Sequence, residues 1–186
     1  MKKNVAVYLH SFLVALVLFS CGGIKTKFSE EELRWFNVYN EGDVLIFKSE
    51  KNELDTTIII KKELYYPEYN PITVHDKYLP QWAKVWYKNK NLKNHLEGHT
   101  LITMIKRHPT KQTRLFLDYL YGDASFLNFH VDSIKEFKHD KVYKINTFHP
   151  KADPDNPKTI FWHEDYGVIK YITHSGIIWV RMNLSK

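Results

Sequence analysis

The stretch of sequence that decides the fold is 162-WHEDYGVIKYITHSGIIWVRM-182, close to the C-terminal end of the chain. Runs of β-branched and aromatic residues alternate in it with turn residues, and each turn contains one glycine, Gly167 or Gly176. Glycine adopts positive φ at no steric cost, as the tight turns between antiparallel strands require. The stretch therefore predicts a three-stranded meander, with Trp162 and Trp179 packed in the core.

Short strand-like runs separated by turn residues also fill the preceding chain. The predicted strands cover residues 44–48, 56–62, 81–88, 100–106, 113–121, 125–131, 141–148, 158–162, 168–173 and 177–182. Strands at this spacing, with little helical periodicity, are typical of all-β proteins. We therefore expect an all-β domain over residues 37–186, built as a single antiparallel curved sheet, a half-barrel or a barrel.

One short N-terminal helix is predicted before the first strand. Ser29 is followed three residues later by Glu32, which is the capping-box pattern of a helix N-terminus. An apolar stripe at helical spacing follows, formed by Leu33, Phe36 and Tyr39. The helix is expected near residues 30–38, and a polar tether and this short helix make up the segment 21–36 that precedes the β-rich domain.

The segment after Pro80 has two interpretations. Trp82 and Trp86 lie near helical spacing, Pro80 suits a helix start and Gly98 suits a helix end. With period two, the same tryptophans and the lysines between them face one way and apolar residues face the other. Three asparagines in residues 89–94 favour a turn over a helix. We therefore favour a strand at 81–88.

The composition indicates a folded domain with few options for cysteine chemistry. Hydrophobic residues make up 44% of the chain and aromatic residues 15%, which is enough to build a core and argues against disorder. A single cysteine excludes an internal disulfide framework and a cysteine-rich metal site. The chain also lacks the glycine-rich phosphate loop and the Gly-x-Ser-x-Gly nucleophile elbow. No cofactor is therefore expected.

The first twenty residues predict a secretory leader. Lys2 and Lys3 precede a mostly apolar stretch, 5–19, whose unbroken part is only residues 12–19. That run is shorter than the roughly 20 apolar residues of a membrane-spanning helix, and it matches the apolar region of a signal peptide. The segment holds two lysines and no acidic residue, so its removal lowers the formal net charge from +6 to +4.

The sequence that ends this leader, Leu18-Phe19-Ser20-Cys21, resembles a bacterial lipobox. Together with the terminal Gly…Gly…Trp unit, it makes the chain similar to small lipoproteins of Bacteroidota with β-rich domains. The resemblance implies a lipid on the Cys21 sulfur, cleavage before Cys21 and an anchor in the membrane. Residues 22–29 contain no acid, which in such systems favours an outer-membrane lipoprotein facing the periplasm. The resemblance transfers no catalytic residue.

Four constellations with metal-binding or catalytic residue types have simpler interpretations. His95-Leu96-Glu97-Gly98-His99 differs from a zinc-helix motif, because its Glu is displaced by one position and Gly98 disfavours a helix. We interpret His95 and His99 as surface histidines on turns. His163-Glu164-Asp165 and His139-Asp140 fit turns equally well, and 153-DPDN-156 fits a solvated loop because it lacks the glycine and distal glutamate of a calcium loop. No metal site is expected.

A basic and aromatic patch lies in the middle of the chain. Its lysines and aromatic residues are Lys84, Lys88, Lys90, Lys93, Trp82, Trp86 and Tyr87. An exported protein rarely meets nucleic acid, so no nucleic-acid partner is expected. The remaining alternatives are attraction to anionic lipid headgroups and an ordinary solvated strand face, and the second is the simpler one.

The sequence predicts a lipid-anchored cell-envelope protein that acts as a non-catalytic binding or structural module. One alternative is a carrier or receptor for an apolar ligand or for lipoprotein acyl chains, which would show an open apolar cavity. The other is a metal-assisted hydrolase, which would show three convergent His or carboxylate groups in a cleft. The expected partners are the membrane, through acylated Cys21, and an apolar ligand or another envelope protein. The sequence leaves the oligomeric state open.

Overall fold

The computed structural model describes residues 23–68, 77–90, 98–120, 127–130, 138–147 and 153–184. Within these ranges the chain forms one helix, α1 (Glu30–Asn37), and thirteen strands. The strands are β1 (Ile24–Lys25), β2 (Val44–Ser49), β3 (Leu54–Tyr65), β4 (Tyr78–Leu79), β5 (Gln81–Asn89), β6 (His99–Lys106), β7 (Arg114–Leu117), β8 (Leu127–His130), β9 (Lys138–His139), β10 (Val142–Asn146), β11 (Pro157–His163), β12 (Gly167–Thr173) and β13 (Ile178–Arg181). No described helix has the length and apolarity that a membrane crossing requires.

Eleven of the described strands form one antiparallel sheet, and it curls into a half-barrel. The strand order is β8-β7-β6-β5-β3-β2-β13-β12-β11-β10-β9. Strands β1 and β4 form a separate parallel pair. The predicted all-β fold, with a curved sheet and one short N-terminal helix, is therefore confirmed.

The helix begins and packs as its sequence requires. Ser29 and Glu32 form the reciprocal bonds of the predicted capping box. Trp35 is buried and stacks on Trp162 of β11, with ring centroids 3.8 Å apart. At its other end, Glu32 accepts a charged hydrogen bond of 2.7 Å from Lys106 of β6. The predicted stripe included Phe36, which is buried, but missed Trp35, which makes the stacking contact.

These contacts show that the sheet curls around the helix. Six strand intervals separate β6 from β11, about 29 Å in a flat sheet. A helix of eight residues is only about 12 Å long. One helix touches both strands because the sheet bends around it. The helix therefore occupies the concave face of the half-barrel.

The C-terminal meander forms as predicted, with one correction. Gly167 and Gly176 have φ values of +72° and +87°. A Cβ on Gly167 would overlap the Tyr39 ring, so this position needs glycine for space as well as for φ. Trp162 is buried at 1% exposure, as expected. Trp179 is only partly buried, because it packs against the edge of the core and stacks on Tyr171.

The contested segment after Pro80 is a strand. Strand β5 pairs antiparallel with β3 on one side and with β6 on the other. Ala83, Val85 and Tyr87 are fully buried on the concave face, and Trp82 and Lys84 point to the outer face. The short strands β1, β4 and β9 were not predicted, because two residues are too few to produce a periodic signal.

Candidate ligand-binding site

Several residues that the sequence singled out lie outside the described part of the chain. These include Cys21 and the whole leader, the His95 end of the His95–His99 constellation, and Lys93 of the basic patch. The lipidation site therefore stays a prediction. The half-barrel itself is where a site can be built from geometry.

The interpretation of His99 as a surface turn residue is wrong. His99 begins β6, opposite Tyr87 of β5, and its Nε2 atom is buried. Its ring lies beside the Tyr87 ring, with centroids 5.8 Å apart. His163 fits the expectation better, since it ends β11 and its Nδ1 accepts a 3.0 Å hydrogen bond from the backbone N–H of Asp165 in the turn.

The loop at 153–156 is mostly solvated, as predicted. Asp153, Pro154 and Asp155 are exposed, and the Asp153 carboxylate accepts a backbone hydrogen bond within the loop. Asn156 departs from the prediction, because it is buried at 9% exposure. Its side-chain oxygen has no hydrogen-bond partner.

The basic and aromatic patch is ordered by contacts between lysines and rings. The Lys84 ammonium lies 5.3 Å from the Trp82 ring and 5.8 Å from the Trp86 ring. Lys61 of β3 lies over Trp86 at 5.2 Å. Such cation–π contacts hold the flexible lysine side chains along the outer face of β3 and β5.

A cavity of about 500 Å³, here called the outer cavity, lies on the outer face of β5, β6 and β7. Cross-strand pairing builds it: Trp82 is opposite Ile105, Lys84 is opposite Thr103, and Thr103 is opposite Phe116. Directly opposed residues share a face of the sheet, so apolar and polar side chains alternate along its floor. The polar side chains that line the cavity are Lys84, His99, Thr100, Thr103 and Asp118.

Three residues that line this cavity each carry one buried polar atom without a hydrogen-bond partner. The atoms are Nε1 of Trp82, Nε2 of His99 and Oδ1 of Asp118. Each has less than 1 Å² of accessible surface, so these atoms lie within the cavity wall and do not face its interior. Other atoms of the same three side chains form part of the lining.

Burial also changes the pKa of Asp118, the one carboxyl group among the residues that line the cavity. Removal from water disfavours the charged carboxylate and raises the pKa of Asp118 to about 7. No basic side chain contributes an opposing effect. Perturbed acids in clefts are typical of functional sites.

A second cavity, of about 580 Å³ and here called the end cavity, lies at one end of the half-barrel beside Trp179 and Thr173. Its buried polar groups include Asp55, which is 2% exposed. The Asp55 carboxylate accepts hydrogen bonds from Asn89 at 2.8 Å and from the Tyr171 hydroxyl at 2.9 Å. Burial and the neighbouring Tyr119 and Asp55 raise the pKa of Tyr171. Asp55, Asn89 and Tyr171 form hydrogen bonds with one another, so they do not require a ligand as a hydrogen-bond partner.

No family model, curated protein or solved structure matches the chain. The described residues also contain no group of three or more His, Cys, Asp or Glu side chains placed to hold a metal ion. The outer cavity and the end cavity are therefore the features from which a function can be inferred.

Sequence analysis missed the most distinctive residue of the outer cavity. Asp118 follows directly after β7, whereas the sequence predicted a strand that continues over residues 113–121. A lone aspartate at this position resembles an ordinary solvated residue. Trp82 was singled out, but for its neighbouring lysines and not for its indole N–H. Only the pairing of β5, β6 and β7 brings Trp82, His99 and Asp118 to one cavity.

Proposed function

We propose that the protein is a lipid-anchored cell-envelope protein that acts as a non-catalytic binding module, with the outer cavity as its ligand site. The observation that carries this proposal is a cavity whose walls combine apolar and polar side chains and include one acid, Asp118, whose pKa burial raises to about 7. A volume of about 500 Å³ is within the range of small-molecule sites.

The alternatives have less support. Helix α1 occupies the concave face of the sheet, where a carrier for acyl chains would keep an open apolar cavity. The aromatic side chains there pack against one another, as Phe47, Tyr119 and Tyr171 do. A metal-assisted hydrolase would bring three ligands together, and the outer cavity is lined by one histidine and one carboxylate.

The anchor rests on the lipobox-like sequence at Cys21 and on the resemblance to Bacteroidota lipoproteins. Each buried methylene contributes about 0.8 kcal/mol, so two or three acyl chains hold a protein stably at a membrane. Strand β1 begins at Ile24, and three residues span at most about 11 Å. A lipid on Cys21 would therefore hold the half-barrel next to the bilayer, which we place at the periplasmic face of the outer membrane.

Two experiments test the proposal. For the anchor, cells are labelled with a radioactive fatty acid, and Cys21→Ser should abolish both the label and the cleavage of the leader. A wild-type protein that fractionates as a soluble species with a free thiol would contradict the anchor.

For the site, the mature protein is screened by thermal shift against sugars, phosphates, carboxylates and amines. A stabilising compound should lose its effect in Trp82→Phe and keep it in Trp86→Phe. Trp86 is the matched control, because it lies on the same face of β5 outside the cavity lining. If Trp82→Phe leaves every shift unchanged, the outer cavity is not the binding site.

A further inference from the structure

We propose that one surface of the half-barrel docks on a bilayer with anionic headgroups and holds the anchored protein in one orientation. This surface, here called the anchor-side surface, covers the end of the sheet where β3 ends and β5 begins, and it continues along the outer face of both strands. Its charged members are Lys25, Lys61 and Lys84, and its aromatic members are Tyr66, Trp82 and Trp86. The proposal goes beyond ligand binding and rests on the proposed function only for the lipid at Cys21.

The N-terminal tether reaches the sheet at this end. Strand β1 pairs in parallel with β4, and β4 is followed directly by β5. The buried Thr26 hydroxyl donates to the Lys106 carbonyl at the end of β6 and accepts a 2.9 Å hydrogen bond from the backbone N–H of Gln81, the first residue of β5. The chain before Ile24 therefore leaves the half-barrel at this end.

A row of ring contacts connects the tether to the outer face of the sheet. The Tyr66 hydroxyl donates a 2.6 Å hydrogen bond to the Thr26 carbonyl, and the exposed Lys25 ammonium lies 5.0 Å from the Tyr66 ring. One residue earlier, Tyr65 stacks on Trp82 across the β3–β5 pair, with ring centroids 6.3 Å apart. The lysine–tryptophan contacts of β3 and β5 continue the row along the outer face.

Positive charge predominates on the anchor-side surface. Of its three lysines, Lys61 forms an ion pair with Glu63, which lies opposite Lys84 and offsets one of the charges. Nearby, Lys77 before β4 and Glu68 after β3 are both exposed and offset each other. A surplus of lysine charge therefore remains, and lysines close to an anionic bilayer are attracted to it.

The same surface carries residue types that favour the headgroup layer of a bilayer. Tryptophan and tyrosine combine an apolar ring with a polar group, and both are enriched at membrane interfaces. Two large apolar side chains at this end, Ile24 and Leu64, are 48% and 45% exposed. Contact with lipid would remove them from water.

The position of the tether favours a bilayer over the alternatives. An acidic protein would meet the same lysines, and an ordinary solvated strand face would need no partner. A lipid on Cys21, however, brings a bilayer within about 11 Å of Ile24, because three residues separate the two positions.

The test uses the purified lipoprotein in vesicles of phosphatidylcholine, with or without the anionic lipid phosphatidylglycerol. Sedimentation with the vesicles reports the anchor. Quenching of tryptophan fluorescence by lipids brominated close to the headgroup reports docking, because Trp82 and Trp86 lie on the anchor-side surface whereas Trp35 and Trp162 are buried. We expect stronger quenching in anionic vesicles. We expect this excess to disappear in about 1 M salt, where the Debye length is only about 3 Å.

The double variant Lys25→Glu/Lys61→Glu should reduce quenching in anionic vesicles to the level of neutral ones. The loss of two lysines that contact anionic lipid weakens docking by about ten-fold or more. Lys158→Glu is the matched control, because Lys158 is an exposed residue of β11, four strands away from β3. Trp86→Phe should lower the quenching and Trp179→Phe should not, because Trp179 lines the end cavity.

These changes leave the ligand site untouched, because Lys25, Lys61 and Trp86 lie outside the lining of the outer cavity. Circular dichroism establishes that the variants are folded.

The outcomes separate the docking surface from the anchor. Sedimentation with both kinds of vesicle but equal quenching in them overturns the inference and leaves the anchor intact, and so does full quenching in the double variant. Sedimentation with anionic vesicles alone, reversed by salt, supports docking and contradicts the anchor. If the protein sediments with neither kind of vesicle, the inference and the anchor both fail.

Discussion

Replacing Asp118 by asparagine should stabilise the protein at alkaline pH and have a much smaller effect in acid. Burial raises the pKa of this carboxyl group from its ordinary value of 3.8 to about 7, with no basic partner to offset the effect. The unfolded chain therefore loses this proton near pH 4, and the folded protein keeps it until about pH 7. Stability is lost progressively over this window as the pH rises, and the penalty is complete above it.

The magnitude follows from the size of the pKa change. A change of about 3 pH units corresponds to about 4 kcal/mol in the free energy of unfolding, reached in full above pH 7. At pH 5 only about 1–2 kcal/mol of this penalty has developed. Asparagine carries no charge, so Asp118→Asn removes the penalty. The gain in unfolding free energy should therefore be about 2–3 kcal/mol larger at pH 8 than at pH 5.

The assay is urea unfolding of the wild type and the variant at pH 5 and pH 8, followed by circular dichroism. Asp153→Asn is the control, because Asp153 lies in an exposed loop and its replacement should change stability little at either pH. A gain of the same size at both pH values, or a loss at pH 8, would refute the reasoning. It would mean that the Asp118 carboxylate is stabilised by a partner in the folded protein.

Three further predictions concern the core, a turn and the end cavity. Trp162→Ala removes the ring on which Trp35 stacks, and urea unfolding should show a loss of about 3–5 kcal/mol; a loss below 1 kcal/mol would contradict the packing. Gly167→Val should lower the melting temperature steeply, because its side chain would overlap Tyr39 at a position with positive φ; unchanged thermal unfolding would show that the turn can rearrange. Asp55→Ala should destabilise the protein by about 3 kcal/mol in chemical denaturation, since Asn89 and Tyr171 both lose the carboxylate to which they donate. A neutral result would show that water replaces the carboxylate.

Local sequence was sufficient for the longer strands and for the start of the helix. The capping box at Ser29 and the glycine turns at Gly167 and Gly176 are short-range devices, and each appears in the structure as expected. The alternation of β5 distinguished a strand from a helix for the same reason, because a period of two is visible within nine residues.

Contacts between distant parts of the chain were beyond this reasoning. Trp35 stacks on Trp162, a residue more than 120 positions away, so no local pattern marks Trp35 as the helix residue that contacts β11. Trp179 looked like a core residue because of its size, yet it lines the end cavity and is only partly buried. His99 looked like a turn residue because its glycine neighbour suggested one, but pairing with β5 makes it the first residue of a strand.

The sequence alone therefore determined the longer strands, the glycine turns of the C-terminal meander and the helix start, because these depend on the side-chain pattern and backbone preferences of neighbouring residues. It also carries the predicted lipid anchor at Cys21, since processing enzymes recognise a linear motif. Only the tertiary structure decided the curl of the sheet around α1 and the outer cavity. Trp82 and Asp118 line the same cavity because β6 pairs with β5 on one side and with β7 on the other, and that arrangement depends on the registers of three strands at once.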